Sequence, residues 1–172
     1  MLIGVIQELG RRVLGVDPAR NVVKIANERG IPTLPEFFNA ALAGLIRADH
    51  GPAKVIVGNN VIAHIDGLQD VVRGISTLLA DDGVFMFEAP YLKDMFDNLT
   101  FDTVYHEHAS YLSVAPLQKL FNRFGLEIFD VKDIWAMDKQ ILALTAVKDN
   151  DTLPFLCKKC ISRHTIFHVR PH

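Results

Sequence analysis

Cysteine is scarce: the 172 residues hold two, Cys157 and Cys160. Two cysteines so close together make no disulfide framework, which excludes a small cross-linked secreted scaffold. Long apolar runs are missing too. None reaches the ~18 residues of a membrane-spanning helix. The apolar start, Met1 to Ile6, has no cationic stretch before it and soon meets Glu8, unlike a secretory signal. The expectation is a cytoplasmic chain with no membrane partner. Excess charge is lacking as well. A formal net charge of −2 gives no electrostatic footprint for nucleic acid. No internal repeat or low-complexity segment is found. What remains is 49% hydrophobic and 22% charged, the balance of a globular chain. A chain of this size buries roughly two thirds of the surface that its unfolded form exposes.

Apolar spacing then divides the chain. Leu2, Ile3, Ile6 and Leu9 fall at helical intervals, and Gly10 closes that helix. Val13 to Val16 reads as a buried parallel strand ending at Asp17, with Pro18 suited to a first helical turn. A helix over Asn21–Arg29, a strand over Ile31–Leu34 and a helix over Pro35–Asp49 follow. Next come a strand at Val55–Val57, a helix over Leu68–Leu79, a turn at Asp81-Asp82-Gly83 and a strand at Val84–Glu88. Ala89–Ser113 reads as irregular, Ala115–Phe124 as a helix, and Leu126–Val131 with Gln140–Val147 as a strand pair. Alternating strands and helices imply an α/β fold with a mostly parallel sheet covered on both faces and a C-terminal antiparallel hairpin. Residues 1–150 read as one domain. In 151–172 the apolar period fades, and these residues read as a tail.

Ligands of open α/β sheets bind beyond the carboxyl ends of the strands, and three features stand there. Asp17 could accept ribose hydroxyls or cap the next helix. Asn59 and Asn60 could bond a ligand, although the turn role is favoured; His64, shortly after, suits a cap or the core equally well. The third is Tyr105-His106-Glu107-His108, with Tyr111 nearby. Histidine titrates nearest neutrality and is the natural proton acceptor, with a carboxylate to fix its tautomer. A functional role is favoured here over a polar loop. His106 and His108 point to opposite sides of an extended chain, which weighs against a shared metal ion.

These residues carry a resemblance. Val13-Leu14-Gly15-Val16-Asp17-Pro18 through Glu28-Arg29-Gly30-Ile31-Pro32-Thr33 resembles the second-strand region of class I S-adenosylmethionine-dependent methyltransferases. Asn59-Asn60-Val61-Ile62-Ala63-His64-Ile65 is similar to the fourth-strand motif of the C-methyltransferases of nucleotide-linked keto-sugars. Phe87-Glu88-Ala89-Pro90-Tyr91-Leu92 and Phe101-Asp102-Thr103-Val104-Tyr105-His106-Glu107-His108 resemble that subfamily's central signature. The resemblance implies a Rossmann-like methyltransferase fold, S-adenosylmethionine as cofactor and a nucleotide-linked sugar as substrate. It also implies roles. His108 is the base and Glu107 orients it. Tyr105 and His64 hold the enolate oxygen or the sugar. Asp17 holds the ribose, and Asn59 and Asn60 line the cofactor site.

The sequence departs from the pattern in three places. Members open with a strand and a glycine-rich loop, whereas Met1 falls inside the helix that follows. The middle strand of the family's sheet, its first in sequence, is therefore expected to be missing. Its neighbours would expose unpaired edges, and self-association is expected unless something fills the gap. An N-terminal cysteine-rich zinc module is not seen. Trp135-Ala136-Met137-Asp138-Lys139 stands where a His-Gly-Gly-Ser-type segment is usual. In the tail, Cys157, Cys160, His164 and His168 are of zinc-ligand type, but their spacing lacks the ~12-residue loop of a zinc finger, and no metal is expected. Two competing readings remain: a non-catalytic methyltransferase-like binding protein or inactive fragment, and a nicotinamide-dependent oxidoreductase. The latter is disfavoured because no G-x-G-x-x-G is present.

Overall fold

A computed structural model describes residues 2–99, 104, 108–135, 139–147 and 166–169. The elements, in order, are α1 (Leu2–Glu8), β1 (Val13–Val16), α2 (Arg20–Glu28), β2 (Thr33–Leu34), α3 (Ala40–His50) and β3 (Ala53–Asn59). A 3-10 turn (Ile62–His64) leads to α4 (Leu68–Leu78), β4 (Leu79–Pro90), α5 (Leu92–Asp97) and α6 (Val114–Asn122). β5 (Leu126–Trp135), β6 (Lys139–Val147) and β7 (Ile166–Val169) follow.

All seven strands join one sheet in the order β2-β1-β7-β3-β4-β6-β5. The pairs from β2 to β4 are parallel, and β6 runs antiparallel to both of its neighbours. The expected C-terminal hairpin is therefore present. Alternation along each strand sorts side chains between two helical layers. Leu14, Val16, Ile56, Phe85 and Phe87 join the core under α3, α4 and α6. Val13 packs with Ile3, Ala26 and Ile31 under α1 and α2, and Ile6 reaches Val55 and Val57 on the same face. Phe85, Phe87 and Phe121 stack with centroids 5.2 to 6.2 Å apart. Each is almost fully buried, worth about 1.5–3 kcal/mol per ring.

The middle of the sheet is occupied. Residues 166–169, read from the sequence as part of a tail, form β7 between β1 and β3. Leu14 pairs with Phe167 and Val16 with Val169 on one side; Ile56 pairs with Phe167 and Val57 with His168 on the other. The open edges that motivated the expectation of self-association are thus covered in this chain. The sequence concealed the strand because Ile166-Phe167-His168-Val169 is short and interrupted by a histidine. Cys157, Cys160 and His164 lie outside the described residues.

Three other boundaries differ from expectation. α3 starts at Ala40 rather than Pro35, because Asn39 is extended and its side chain accepts the Leu42 N–H at 2.8 Å, capping the helix. α2 begins at Arg20, which leaves Pro18 ahead of the cap residue Ala19. The expected turn at Asp81-Asp82-Gly83 lies inside β4 instead. Ala53 pairs with Leu79 but Val55 pairs with Val84, so the extra residues of β4 form a bulge. Lys54 and Asp82 pair across that irregularity. Within the stretch expected to be irregular, α5 is a short helix held by buried Met95 and a Lys93–Asp97 pair.

Candidate active site

The parallel strands deliver their carboxyl ends to one edge of the sheet. Asp17 follows β1 directly and is 5% exposed, while Asn59 closes β3 opposite Glu88 of β4. The end of β7, Val169, lies between them, paired with Val16. This is also the switch point of the topology: from β1 the chain proceeds to β2 on one side and then to β3 on the other. Such a point leaves a crevice beyond the strand ends.

Asp17 is not the cap residue of α2, which is Ala19. The Asp17 Oδ1 accepts the Ala19 N–H at 2.8 Å, so the carboxylate shapes the entry to α2. Among the described residues its side chain makes no other hydrogen bond, which leaves Oδ2 for a ligand hydroxyl. The two amides differ in setting. Asn60 is exposed, has φ 51° and donates its N–H to the Glu88 carbonyl at 3.0 Å. It is a turn residue, in the left-handed region that asparagine tolerates. Asn59 is half-buried at the strand end.

The 3-10 turn carries His64. Val61, Ile62 and Ala63 are buried, so the turn is pinned to the core and its histidine is half-buried at the surface. A distant segment docks on this turn: the Ser110 N–H donates to the Ala63 carbonyl at 3.0 Å. Leu112, buried, pairs with Tyr91, and its carbonyl accepts the Leu92 N–H at 2.8 Å. These anchors bring the imidazole rings of His64 and His108 to 4.9 Å between centroids, tilted by 53°. Tyr111 stands edge-on to His108 at 6.1 Å. Two imidazoles and a phenol from two segments can move a proton and hydrogen-bond a developing oxyanion.

The sequence reading thus named two residues, His64 and His108, that the fold brings together. Tyr105 and Glu107 lie outside the described residues. Two neighbours of the site were not assigned from the sequence. Tyr111 was noticed only as lying nearby, and its spacing of three from His108 was the available signal. Glu88 is half-buried at the strand end opposite Asn59; it stood in the signature Phe87–Leu92 without an assigned role.

A methyltransferase-domain family matches residues 1–131. The chain belongs to this methyltransferase family. A C-methyltransferase of Streptomyces niveus, NovU, is 41% identical over 150 residues, which cover 86% of this chain and 36% of that protein. The methyltransferase domain here therefore spans about a third of the length of that relative. A SAM-dependent methyltransferase from Anabaena variabilis superposes with a TM-score of 0.60 at 15% identity, over 80% of this chain and 68% of that one. LepI, whose structure is a complex with SAM, gives a TM-score of 0.59 at 12% identity, over 86% and 40% of the two chains. At these identities the structural likeness is one of fold, and the domain has the Rossmann-like methyltransferase fold. In this chain the strand between β1 and β3 comes from the C-terminal end. Among the described residues no helix is long and apolar enough to cross a membrane.

Proposed function

We propose that the chain is the methyl-transfer domain of a C-methyltransferase that uses S-adenosylmethionine and acts on a carbon next to the ketone of a nucleotide-linked keto-sugar. The juxtaposition of His64 and His108, with ring centroids 4.9 Å apart, carries this reading, in a domain 41% identical to a C-methyltransferase.

The residues suit the cofactor in kind. Asp17 is a buried carboxylate at the switch-point edge with one oxygen engaged by its own turn, and the other can accept a ribose hydroxyl. Asn59 lines the same edge by its side chain and Asn60 by its exposed turn. When bound, S-adenosylmethionine supplies a methyl group on a sulfonium, which needs alignment rather than activation.

The protein's part is then to make the carbon nucleophilic. His108 takes the proton from the carbon beside the ketone, and Glu107 holds the imidazole in the tautomer that accepts it. The electron pair left on carbon delocalises onto the ketone oxygen. His64 and Tyr105 donate hydrogen bonds to that oxygen, which stabilises the enolate and brings a weak carbon acid within reach of an ordinary base. The enolate carbon would then be the nucleophile for the methyl group that S-adenosylmethionine, held at Asp17 and Asn59, would supply, leaving S-adenosylhomocysteine.

Isothermal titration with S-adenosylhomocysteine tests the cofactor step first. Micromolar binding is expected. Transfer of labelled methyl to a nucleotide-linked keto-sugar, lost in His108→Ala, tests the chemistry. Binding without transfer to any keto-sugar would favour a non-catalytic binding protein, and no binding to a folded sample would reject the cofactor reading.

A further inference from the structure

The strand that completes the sheet is the last element of the chain. β7 is the one strand hydrogen-bonded to both β1 and β3 among the described residues. Its carboxyl end falls between Asp17 and Asn59, the two polar residues at the switch point. Asp17 directly follows Val16, which pairs with Val169. Asn59 lies two residues beyond Val57, which pairs with His168. The separation of these two side chains is therefore set by whether a strand stands between β1 and β3, since adjacent strands lie ~4.8 Å apart.

The path of the chain permits β7 to come from the same molecule. β6 runs antiparallel to β4, so it ends at the amino edge of the parallel strands, where Val84 pairs with Ala146. β7 starts at that same edge, where Ile166 pairs with Val13 and Val55. No crossover over a sheet face is required. In the sheet β6 and β7 are separated by β4 and β3, so their ends lie three strand spacings or roughly 14 Å apart. The 18 residues between Val147 and Ile166 could reach several times that distance when extended.

We propose that β7 is a positioning element of the cofactor site: docked in cis between β1 and β3, it holds Asp17 and Asn59 at the spacing that S-adenosylmethionine requires. The cofactor part of this inference rests on the function proposed above, whereas the docking does not. Because β7 stands between the two residues that the ligand would bridge, its docking equilibrium is linked to cofactor binding. A ligand that binds only the docked form stabilises that form, and release of β7 weakens the ligand.

Hydrogen exchange on the full chain, with and without S-adenosylhomocysteine, tests the proposal. Amides of Ile166–Val169 should be measurably protected in the free protein, though less than those between β4 and β6. The ligand should raise β7 protection at least tenfold while leaving β5 unchanged, which a merely structural strand would not show. Phe167→Pro should lower protection in β1 and β3, preserve it between β4 and β6, and weaken ligand binding at least tenfold. Unprotected β7 amides in the wild-type chain would overturn the docking without any variant. A dimer in sedimentation whose β7 protection is lost on dilution would overturn the cis assignment in favour of a second copy. Protected β7 with no ligand binding would reject the cofactor reading and the positioning role while leaving the docking in place. Tight ligand binding with β7 protection unmoved would overturn the positioning role alone.

Discussion

At Asp17 a single carboxylate faces two partners. Oδ1 accepts the Ala19 N–H, and in the proposed function the other oxygen accepts a ribose hydroxyl. Two substitutions separate these jobs. Asp17→Asn keeps an oxygen for Ala19 but loses the charge, so thermal stability should hold within about 0.5 kcal/mol. The affinity for S-adenosylhomocysteine should fall by roughly 1.5–3 kcal/mol, the worth of a hydrogen bond to a charged group. Asp17→Ala should add a folding loss of about 0.5–2 kcal/mol, as for a lost cap. Titration and thermal melts read the two effects separately, and an Asp17→Asn chain that binds as the wild type would leave only the turn role. A second test belongs to the histidines. His108→Ala should slow exchange of the substrate's acidic carbon-bound hydrogen in heavy water by about 10²–10⁴-fold. His64→Ala should slow it less, since the proposed function gives that oxygen a second donor in Tyr105. Equal exchange in the His108→Ala and wild-type proteins would remove His108 as the base. Sequence pattern pointed to both histidines. It did not show that the Ser110–Ala63 hydrogen bond and the buried Leu112 anchor bring their rings together, because that proximity arises between segments far apart in the chain.

Among the elements, the buried strands were the most legible. Val13–Val16 and Val55–Val57 are apolar runs that only a sheet covered on both faces can bury. Boundaries were lost where a local interaction outweighed a pattern. Asn39 stops α3 from extending back to Pro35, and the bulge of β4 absorbs residues that read as a turn. Gly83 shows why this bulge tolerates little change. A Cβ built there would lie 2.8 Å from the Ala53 carbonyl oxygen and 2.9 Å from that of Ala80. Ala53 belongs to backbone that pairs β3 with β4, so its oxygen does not move without disturbing that pairing. Gly83→Ala should therefore destabilise the fold by about 1–3 kcal/mol, the range for overpacking. A lowered urea midpoint with an unchanged slope is expected. An unchanged midpoint would mean that the bulge opens to admit the methyl group.

On the scale of the whole molecule, the sheet is two blocks joined by one strand. β2 and β1 make the smaller block, with strands of two and four residues, and β3, β4, β6 and β5 make the larger. Among the described residues, the backbone hydrogen bonds between the blocks all pass through β7. Pairing Val13 with Ile166 closes about 150 residues of chain. Closing so long a segment costs only slightly more entropy than closing half of it. Contacts so distant in sequence nevertheless form slowly and return little until the intervening chain is ordered. The larger block contains the paired phenylalanines and the long β4–β6 ladder, so it can persist when β7 leaves. The smaller block keeps Leu14 and Val16 in the main core, but it loses every hydrogen bond on one side of β1. Exchange at rising denaturant should therefore show β7 and β1 opening together, at a lower free energy than β4 and β6, as a separate cooperative unit. A bound cofactor should lift that lower opening toward the global one, since its proposed contacts at Asp17 and Asn59 span the two blocks. If all strands opened at one free energy without ligand, the domain would be a single cooperative unit. β7 would then be as fixed as any other strand, and its release could not regulate the site.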